Sequence, residues 1–459
     1  MSAPLWTAAD VAAATSGNAS ADFAASGVTF DSREVGPGDL FIALHGEFSD
    51  GHRFLDAAFA QGAAGAIVSQ PTPHPHVLVA DTTLALDALA RAARARTSAK
   101  IIGVTGSVGK TGTKEALFEA LDRGAPGSAH RSVKSYNNHT GVPLSLSRMP
   151  AATRFGVFEM GMNHAGELAQ LTQLVRPHVA IVTTIAPAHT EFFASEEAIA
   201  DAKGEIFAGL EPGGVAIVPY DSPHRDRLIA AATPYAARIV TFGLNKAADV
   251  HAIETMRTAR GATFVTARVG ARELSFTMAQ PGMHWVSNGL AVLAAVDAVG
   301  GDLAAAGLAL AEMGGLAGRG ARFAVAAAGG SALVIDESYN ANPASMRATL
   351  AVLAAEKGVR RIVVLGEMRE LGDDSDSYHA ALAEPILAAG VEAGILVGER
   401  IVPLANALEG KGDFVHVADA AAARASLSTM LAAGDAVLIK GSNGVGLAAV
   451  VAGLRSGTQ

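Results

Sequence analysis

The chain has 459 residues, half of them hydrophobic, with 50 glycines and a formal net charge of −9. That length is too great for one core, so two or three domains are expected, and the acidic balance argues against a general nucleic-acid-binding surface. The absence of cysteine excludes disulfides and thiolate chemistry.

Frequent alanine favours α/β layers with close helix–sheet packing. Met1 to Asp10 has neither a basic stretch nor an apolar core of signal-peptide length. No apolar run of about 18 residues is free of glycine or polar breaks, so a cytoplasmic enzyme without a membrane span is expected. Thr7 and Asp10 read as a capping box opening a helix over 8–14. Residues 40–44 read as a short buried strand between turns at 36–39 and 49–51. Before it lie Asp31, Ser32 and Arg33, whose guanidinium and hydroxyl suit a diphosphate. His45 and His52 flank the same loop and read more simply as solvated side chains. A helix (54–61), a strand (66–69), a Pro/His-rich turn (71–76) and a helix (81–99) follow, with a domain boundary near residue 99.

The stretch GVTGSVGKTGT, residues 103–113, follows an apolar strand signal and precedes helical spacing. Strand, glycine-rich turn and helix are what a phosphate-binding loop needs. Gly106, Ser107, Val108, Gly109, Lys110, Thr111, Gly112 and Thr113 form the candidate cradle. Gly106 and Gly109 permit the tight turn, Lys110 reaches β/γ-phosphates, and the Thr111 hydroxyl suits Mg²⁺. Val104 stands where the full phosphate-loop pattern has glycine, so this is a shorter form.

Strand and helix then alternate, which predicts a parallel sheet with ligands at the carboxyl ends of its strands. Three features fall at those ends. A strand over 155–158 leads to Glu159, placed to face a metal beside the loop. A strand over 179–185 leads to His189, a metal ligand or an orienter. Asn137 and Asn138 lie in a polar loop suited to an amide-rich substrate. A helix over 195–210 is capped by Ser195, and Lys203 borders its apolar stripe. Residues 238–280 alternate like antiparallel strands added to a sheet edge. Asn288 lies on an alanine-rich helix and suits a purine edge.

From Ala317 onward the pattern is again βα. Arg319 and Arg322 precede a strand (333–335) that ends in DESYNANP, residues 336–343, with a helix after Pro343. Strands at 361–365 and 436–439 end in GEMREL and KGSNG. The segment reads as Rossmann-like, but lacks the glycine pattern of dinucleotide binding.

Taken together, TGSVGKT (105–111), YNNHTGVP (136–143), FEMGMN (158–163), IAPAH (185–189), AKGEIF (202–207) and DESYNANP resemble the ATP-dependent Mur ligases. The likeness runs from DSREVGPGDLFIAL to LIKGSNG. NNHTGVP, AKGEIF and SYNANP are more particular to the branch that joins D-alanyl-D-alanine to UDP-N-acetylmuramoyl-tripeptide. The resemblance implies an α/β protein of three domains: a small UDP-sugar-binding domain (1–98), a central P-loop ATPase with a mainly parallel sheet (99–316) and a Rossmann-like C-terminal domain (317–459). It implies an acyl-phosphate route to the pentapeptide precursor of peptidoglycan, using ATP and two Mg²⁺ ions, in a monomer that binds no nucleic acid.

Lys110, His189 and Lys203 match catalytic positions, and Lys203 matches the family's carbamylated lysine. Thr111 and Glu159 match one Mg²⁺ site; His189 and Lys203 match the other. Asn288, Arg322, Asp336 and Glu337 match nucleotide contacts. Asp31, Ser32 and Arg33 match the uridine-nucleotide side. Asn137, Asn138, Asn340, Asn342, Lys440 and Ser442 complete the expected substrate contacts. The chain departs from the pattern at Trp285, where relatives usually carry Asn, at Glu337, where many have Asp, and at Asn443-Gly444, where some have a more basic run. The alternatives are a diaminopimelate- or lysine-adding ligase, a folylpolyglutamate synthase-like ligase, or a P-loop nucleotide-binding regulator without ligase chemistry.

Overall fold

Short runs of Val, Ile and Ala make the strands, and helices between them carry the chain back to the same edge, so most neighbouring strands are parallel. The computed structural model describes residues 3–46, 49–258, 261–356 and 360–457. Its strands form a five-stranded, a nine-stranded and a six-stranded sheet, plus one two-stranded pair.

In the first sheet Gly27–Thr29, Asp39–Ile42, Gly65–Val68 and His76–Leu78 are parallel, and Asn18–Ala19 closes the edge antiparallel. His76 thus starts a strand where the sequence suggested only a turn. The helix Ala8–Thr15 opens with the expected capping box: the Thr7 hydroxyl accepts from Asp10 N–H, and the Asp10 carboxylate accepts from Thr7 N–H. The helix Thr82–Ala95 is shorter than expected. The Thr97 hydroxyl takes the Ala99 N–H instead, ending the helical pattern.

The central sheet is parallel from Ala129–Arg131 through Phe155–Glu159, Lys100–Thr105, Val179–Val182, Val215–Pro219 and Arg238–Gly243 to Val250–Arg257. Thr263–Val269 and Arg272–Met278 then extend it antiparallel. The expected antiparallel insert is therefore confined to the sheet's far edge, and Arg238–Gly243 belongs to the parallel part. Successive side chains serve opposite faces. Ile102 and Val104 pack in the layer of Leu117 and Leu290, and Ile101 packs in that of Phe158, Ile199 and Phe207.

The helix expected over 195–210 breaks in two, an α-helix Glu196–Gly204 capped by Ser195 and a 3₁₀ turn Glu205–Gly209. At the break the Glu205 carboxylate accepts the Gly166 and Ala169 N–H groups at 2.7 and 3.2 Å. It thereby satisfies donors at the start of the helix Glu167–Val175.

The third sheet runs Ala321–Ala327, Gly330–Glu337, Ala436–Lys440, Arg361–Gly366, Val391–Val397 and Asp413–Val417, parallel except for the first pair. The first and second sheets are tied by buried polar contacts. The Trp6 indole donates to Ser147 O at 2.8 Å, Arg94 donates to Val175 O and Arg176 O, and the Arg96 guanidinium stacks 3.7 Å from the Trp6 ring. No helix among the described residues is long and apolar enough to cross a membrane.

Candidate active site

The glycine-rich turn leaves Lys100–Thr105 and enters the helix Lys110–Gly124. Gly109 has φ 91°, and Gly106 has φ 146°, both in space that side chains rarely occupy. The turn is pinned by the neighbouring strand end. Ser107 N–H donates to Thr184 O at 2.7 Å, and the Thr183 hydroxyl donates to Val108 O at 2.6 Å. A Cβ on Gly106 would collide with that Thr183 hydroxyl. Gly106→Ala is expected to cost about 1–3 kcal/mol, from strain and displacement of Thr183. A thermal melt indistinguishable from the wild type would contradict that reading of the loop.

Lys110 Nζ donates to Gly106 O at 2.6 Å, so the lysine folds over its own loop. The Thr111 hydroxyl donates to Glu159 Oε2 at 2.8 Å, and Asn137 Nδ2 donates to Glu159 Oε1 at 2.7 Å. Glu159 is thus buried at the end of the strand beside the loop, as parallel register with Lys100–Thr105 requires. Gly106 and Thr113 belong to the loop but do not face the cleft; Thr113 is fully buried.

A cleft of about 320 Å³ opens above this loop and is closed from the other side by the third sheet. Lys110, Asn288, Arg319, Glu337, Asn340 and Lys440 are among the residues lining it. Lys440 donates to Asn340 O at 2.9 Å and lies 3.6 Å from Glu337. Arg319 bridges to the central sheet by donating to Ser135 Oγ at 3.1 Å, and its guanidinium lies over the Tyr339 ring.

Burial shapes the charges here. It holds Lys110 below the ordinary lysine range, with Glu159 pulling the other way and Arg319 adding to the depression. It lowers Lys440 and raises Glu337, and their mutual attraction only partly offsets the loss of water. His284, also on the cleft wall, is pushed down to about 4 by burial, with the Lys440 charge adding, so its ring is neutral at pH 7. The cleft therefore gathers more cationic than anionic heads, which suits a polyanion.

Lys203 is fully buried, and its Nζ has no hydrogen-bond partner. Burial, helped by the Lys110 charge, holds it well below the ordinary lysine value. The strand expected over 179–185 is shorter, Val179–Val182, so His189 lines the cleft from the loop beyond it and pairs with Glu370 at 2.6 Å. Among the described residues no group of three or more His, Asp or Glu side chains is arranged to hold a metal ion. The oxygen donors gathered at the loop are the Thr111 hydroxyl and the Glu159 carboxylate.

Several expected contacts lie elsewhere. Arg322 pairs with Glu356 at 2.8 Å, outside the main cleft, because the strand Ala321–Ala327 turns it away; Arg319 is the arginine that faces in. Asp336 is buried and accepts from Gly318 N–H, Ser338 N–H and the Ser338 hydroxyl, so it shapes the loop and leaves Glu337 to face the cleft. Ser442 Oγ accepts from Arg369 N–H. Asn138 Oδ1 accepts from Thr140 and Gly141, closing a turn. Asn342 lines the cleft but also caps the helix Pro343–Ala354. Asp31 and Arg33 pair with each other at 2.6 Å, and with Ser32 they sit apart from this cleft. Ser135, His284 and Tyr339 line the cleft and were not singled out by sequence; Tyr339 was within the DESYNANP stretch, whereas Ser135 gave no signal of its own.

Residues 24–97 match the model "Mur ligase family, catalytic domain", 104–296 the Mur ligase middle domain, and 321–443 the "Mur ligase, glutamate ligase domain". The UDP-N-acetylmuramoyl-tripeptide–D-alanyl-D-alanine ligase of Escherichia coli is 36% identical over 440 residues, which is 95% of this chain and 95% of that one. A crystal structure of MurF from Acinetobacter baumannii superposes with a TM-score of 0.84 at 31% identity, covering 98% of this chain and 99% of the other. The MurF ligase of Thermotoga maritima, solved in complex with ADP, gives a TM-score of 0.76 at 25% identity over 94% and 97% of the two chains. With a match on each of its three large sheets and a relative alike over nearly its whole length, the chain belongs to the Mur ligase family of ATP-dependent, amide-forming ligases.

Proposed function

We propose that this chain joins D-alanyl-D-alanine to UDP-N-acetylmuramoyl-tripeptide at the expense of ATP, giving the pentapeptide precursor of peptidoglycan. The observation that carries the reading is the pairing of Thr111 and Glu159 beneath a glycine-rich loop, facing Lys110, Arg319 and Lys440 in one cleft. In this reading residues 1–98 hold the UDP-sugar, with Asp31, Ser32 and Arg33 on the uridine side, residues 99–316 bind ATP, and residues 317–459 close over it. Asn288, Arg319 and Glu337 take the nucleotide, and Asn137, Asn340, Asn342 and Lys440 contact the peptides. In this reading the chain acts as a monomer, and ATP supply puts the reaction in the cytoplasm.

A carboxylate is a poor electrophile, so it must first gain a leaving group. The terminal carboxylate of the tripeptide attacks the γ-phosphorus, the bond to the β-phosphate oxygen breaks, and ADP leaves. The amine of the dipeptide then attacks the acyl phosphate carbon, the C–O bond breaks, phosphate departs and the amine loses a proton. Lys110 moves from Gly106 O to the β/γ-phosphates and offsets charge as it builds. Arg319 and Lys440 hold the two anionic partners near each other from the opposite wall.

The donors present fit Mg²⁺. Thr111 and Glu159 offer hard oxygens at one position, and His189 with Lys203 would hold a second ion if the unpartnered Lys203 amine carries a carbamate. Bound there, Mg²⁺ supplies Lewis-acid screening of the phosphate charge. The Lys203 environment favours that modification, because a neutral amine reacts with CO₂, releases a proton and becomes an anion with two oxygens.

A matrix of candidate acceptors and amines, scored by phosphate release and product mass, tests the assignment. Product is expected from UDP-N-acetylmuramoyl-tripeptide with D-alanyl-D-alanine. Better use of L-lysine, diaminopimelate or glutamate would overturn it in favour of another amino-acid ligase.

A further inference from the structure

The contact between His189 and Glu370 joins the second and third sheets through their loops, as the Arg319–Ser135 bond does elsewhere in the cleft. His189 Nδ1 and Glu370 Oε2 are 2.6 Å apart. Beside them Glu191 N–H donates to Glu370 O at 3.2 Å, so side chain and backbone both cross the gap. Gly372 packs against the Glu191 backbone, where a Cβ would approach Glu191 Cα to 3.2 Å. Both His189 and Glu370 hold left-handed backbone, with φ 59° and 62°. Such conformations are disfavoured for side-chain-bearing residues and persist where the surroundings impose them.

Stability does not account for this arrangement. The Glu370 side chain is 44% exposed, and an ion pair so open to water contributes little. Two strained backbones are therefore held for a contact of small intrinsic value. What the contact does achieve is geometric. With Nδ1 held against the Glu370 carboxylate, the imidazole ring is fixed so that Nε2 points in one direction. The acceptor comes from the opposite sheet, so that direction is set only when the third sheet lies against the loop.

We propose that Glu370 is a positioning residue that orients His189 and makes that orientation conditional on closure of the C-terminal domain. The inference rests on the proposed role of His189 in the ligase cleft. It links domain closure to assembly of the site: phosphoryl transfer waits until the C-terminal domain is seated.

The test uses the full chain and two variants, Glu370→Ala, which removes the acceptor, and Glu370→Gln, which keeps an acceptor oxygen. Glu370→Ala is expected to lower kcat roughly 10–100-fold, the usual effect of losing a histidine's orienting partner, with KM for ATP changed less than about threefold. Glu370→Gln is expected to recover most of that loss. Closure is read separately. Because the chain has no cysteine, cysteines placed at the exposed Glu119 and Lys411 take a donor–acceptor dye pair without background labelling. With ADP bound, Glu370→Ala is expected to shift the energy-transfer distribution toward the open form and Glu370→Gln to leave it near wild type. Wild-type kcat in Glu370→Ala, or Glu370→Gln as impaired as Glu370→Ala, overturns the proposal. An unchanged distribution in Glu370→Ala overturns the link to closure. A wild type that makes no product overturns the functional reading instead, and the dye-pair measurement still reports on the clasp.

Discussion

Lys203→Ala is expected to lower ligase turnover by at least about a thousandfold, at or beyond the loss of a key charge-stabilising group, while the protein stays folded. The reason lies in where the lysine sits. Its ammonium would be buried without a partner and close enough to Lys110 to be repelled. A group so placed is a burden on folding, so a purely structural role is excluded by its energetics. Lys203→Arg is expected not to rescue, because guanidinium forms no carbamate and cannot lose its charge. Lys203→Met is expected to hold or raise the melting temperature, by roughly 2–4 °C for each kcal/mol of desolvation relieved.

The pH dependence has a definite sign. The folded chain binds this proton less readily than the unfolded chain, so in CO₂-free buffer the penalty is full below the folded-state pKa. It is relieved as pH rises from there toward the unfolded lysine value of 10.5. Lys203→Met is expected to flatten that rise. A variant that is less stable than wild type in CO₂-free buffer, yet turns over normally, would refute both the burial argument and the catalytic role.

Lys110→Ala is expected to reduce turnover by at least about a hundredfold, the scale of removing one preorganised charge-stabilising donor. The folded form should be spared, since Lys110 makes only a local bond to the Gly106 carbonyl. Single-turnover phosphate release separates this from a binding defect, and near-normal turnover would contradict the loop's assignment. Lys114, four residues on, makes the contrast. It is fully buried and donates to Ser132 O and Lys134 O, so it supports the Ser135–Asn137 segment from beneath and does not reach the cleft.

The parts legible in the sequence were those fixed by local chemistry. The capping box at Thr7, the cap at Ser195, the loop glycines and the strand end at Glu159 each follow from short-range rules and are found in the fold, whereas the strand expected over 179–185 stops at Val182 and His189 lies in the loop beyond it. Lys203 at the margin of an apolar stripe correctly signalled burial. The parts that were not legible depend on tertiary pairing. The hairpin strand Ala321–Ala327 is alanine-rich with no β-branched pattern, and it exists because Gly330–Glu337 pairs with it. That hairpin decides that Arg319 faces the cleft and Arg322 faces Glu356. Asp336 and Glu337 are adjacent acids, and strand alternation alone sends one into the loop and the other to the cleft. Glu370 meets His189 from a distant part of the chain, and no spacing rule connects them.

The chemical route is tested most directly by oxygen-isotope transfer. UDP-N-acetylmuramoyl-tripeptide labelled with oxygen-18 in its terminal carboxylate is turned over with unlabelled ATP and D-alanyl-D-alanine, and the released phosphate is analysed by mass. An acyl-phosphate route delivers one carboxylate oxygen to each phosphate, so phosphate carrying a single heavy oxygen is the predicted result. Unlabelled phosphate alongside normal pentapeptide formation would contradict attack of the carboxylate on ATP, and with it the account of this cleft.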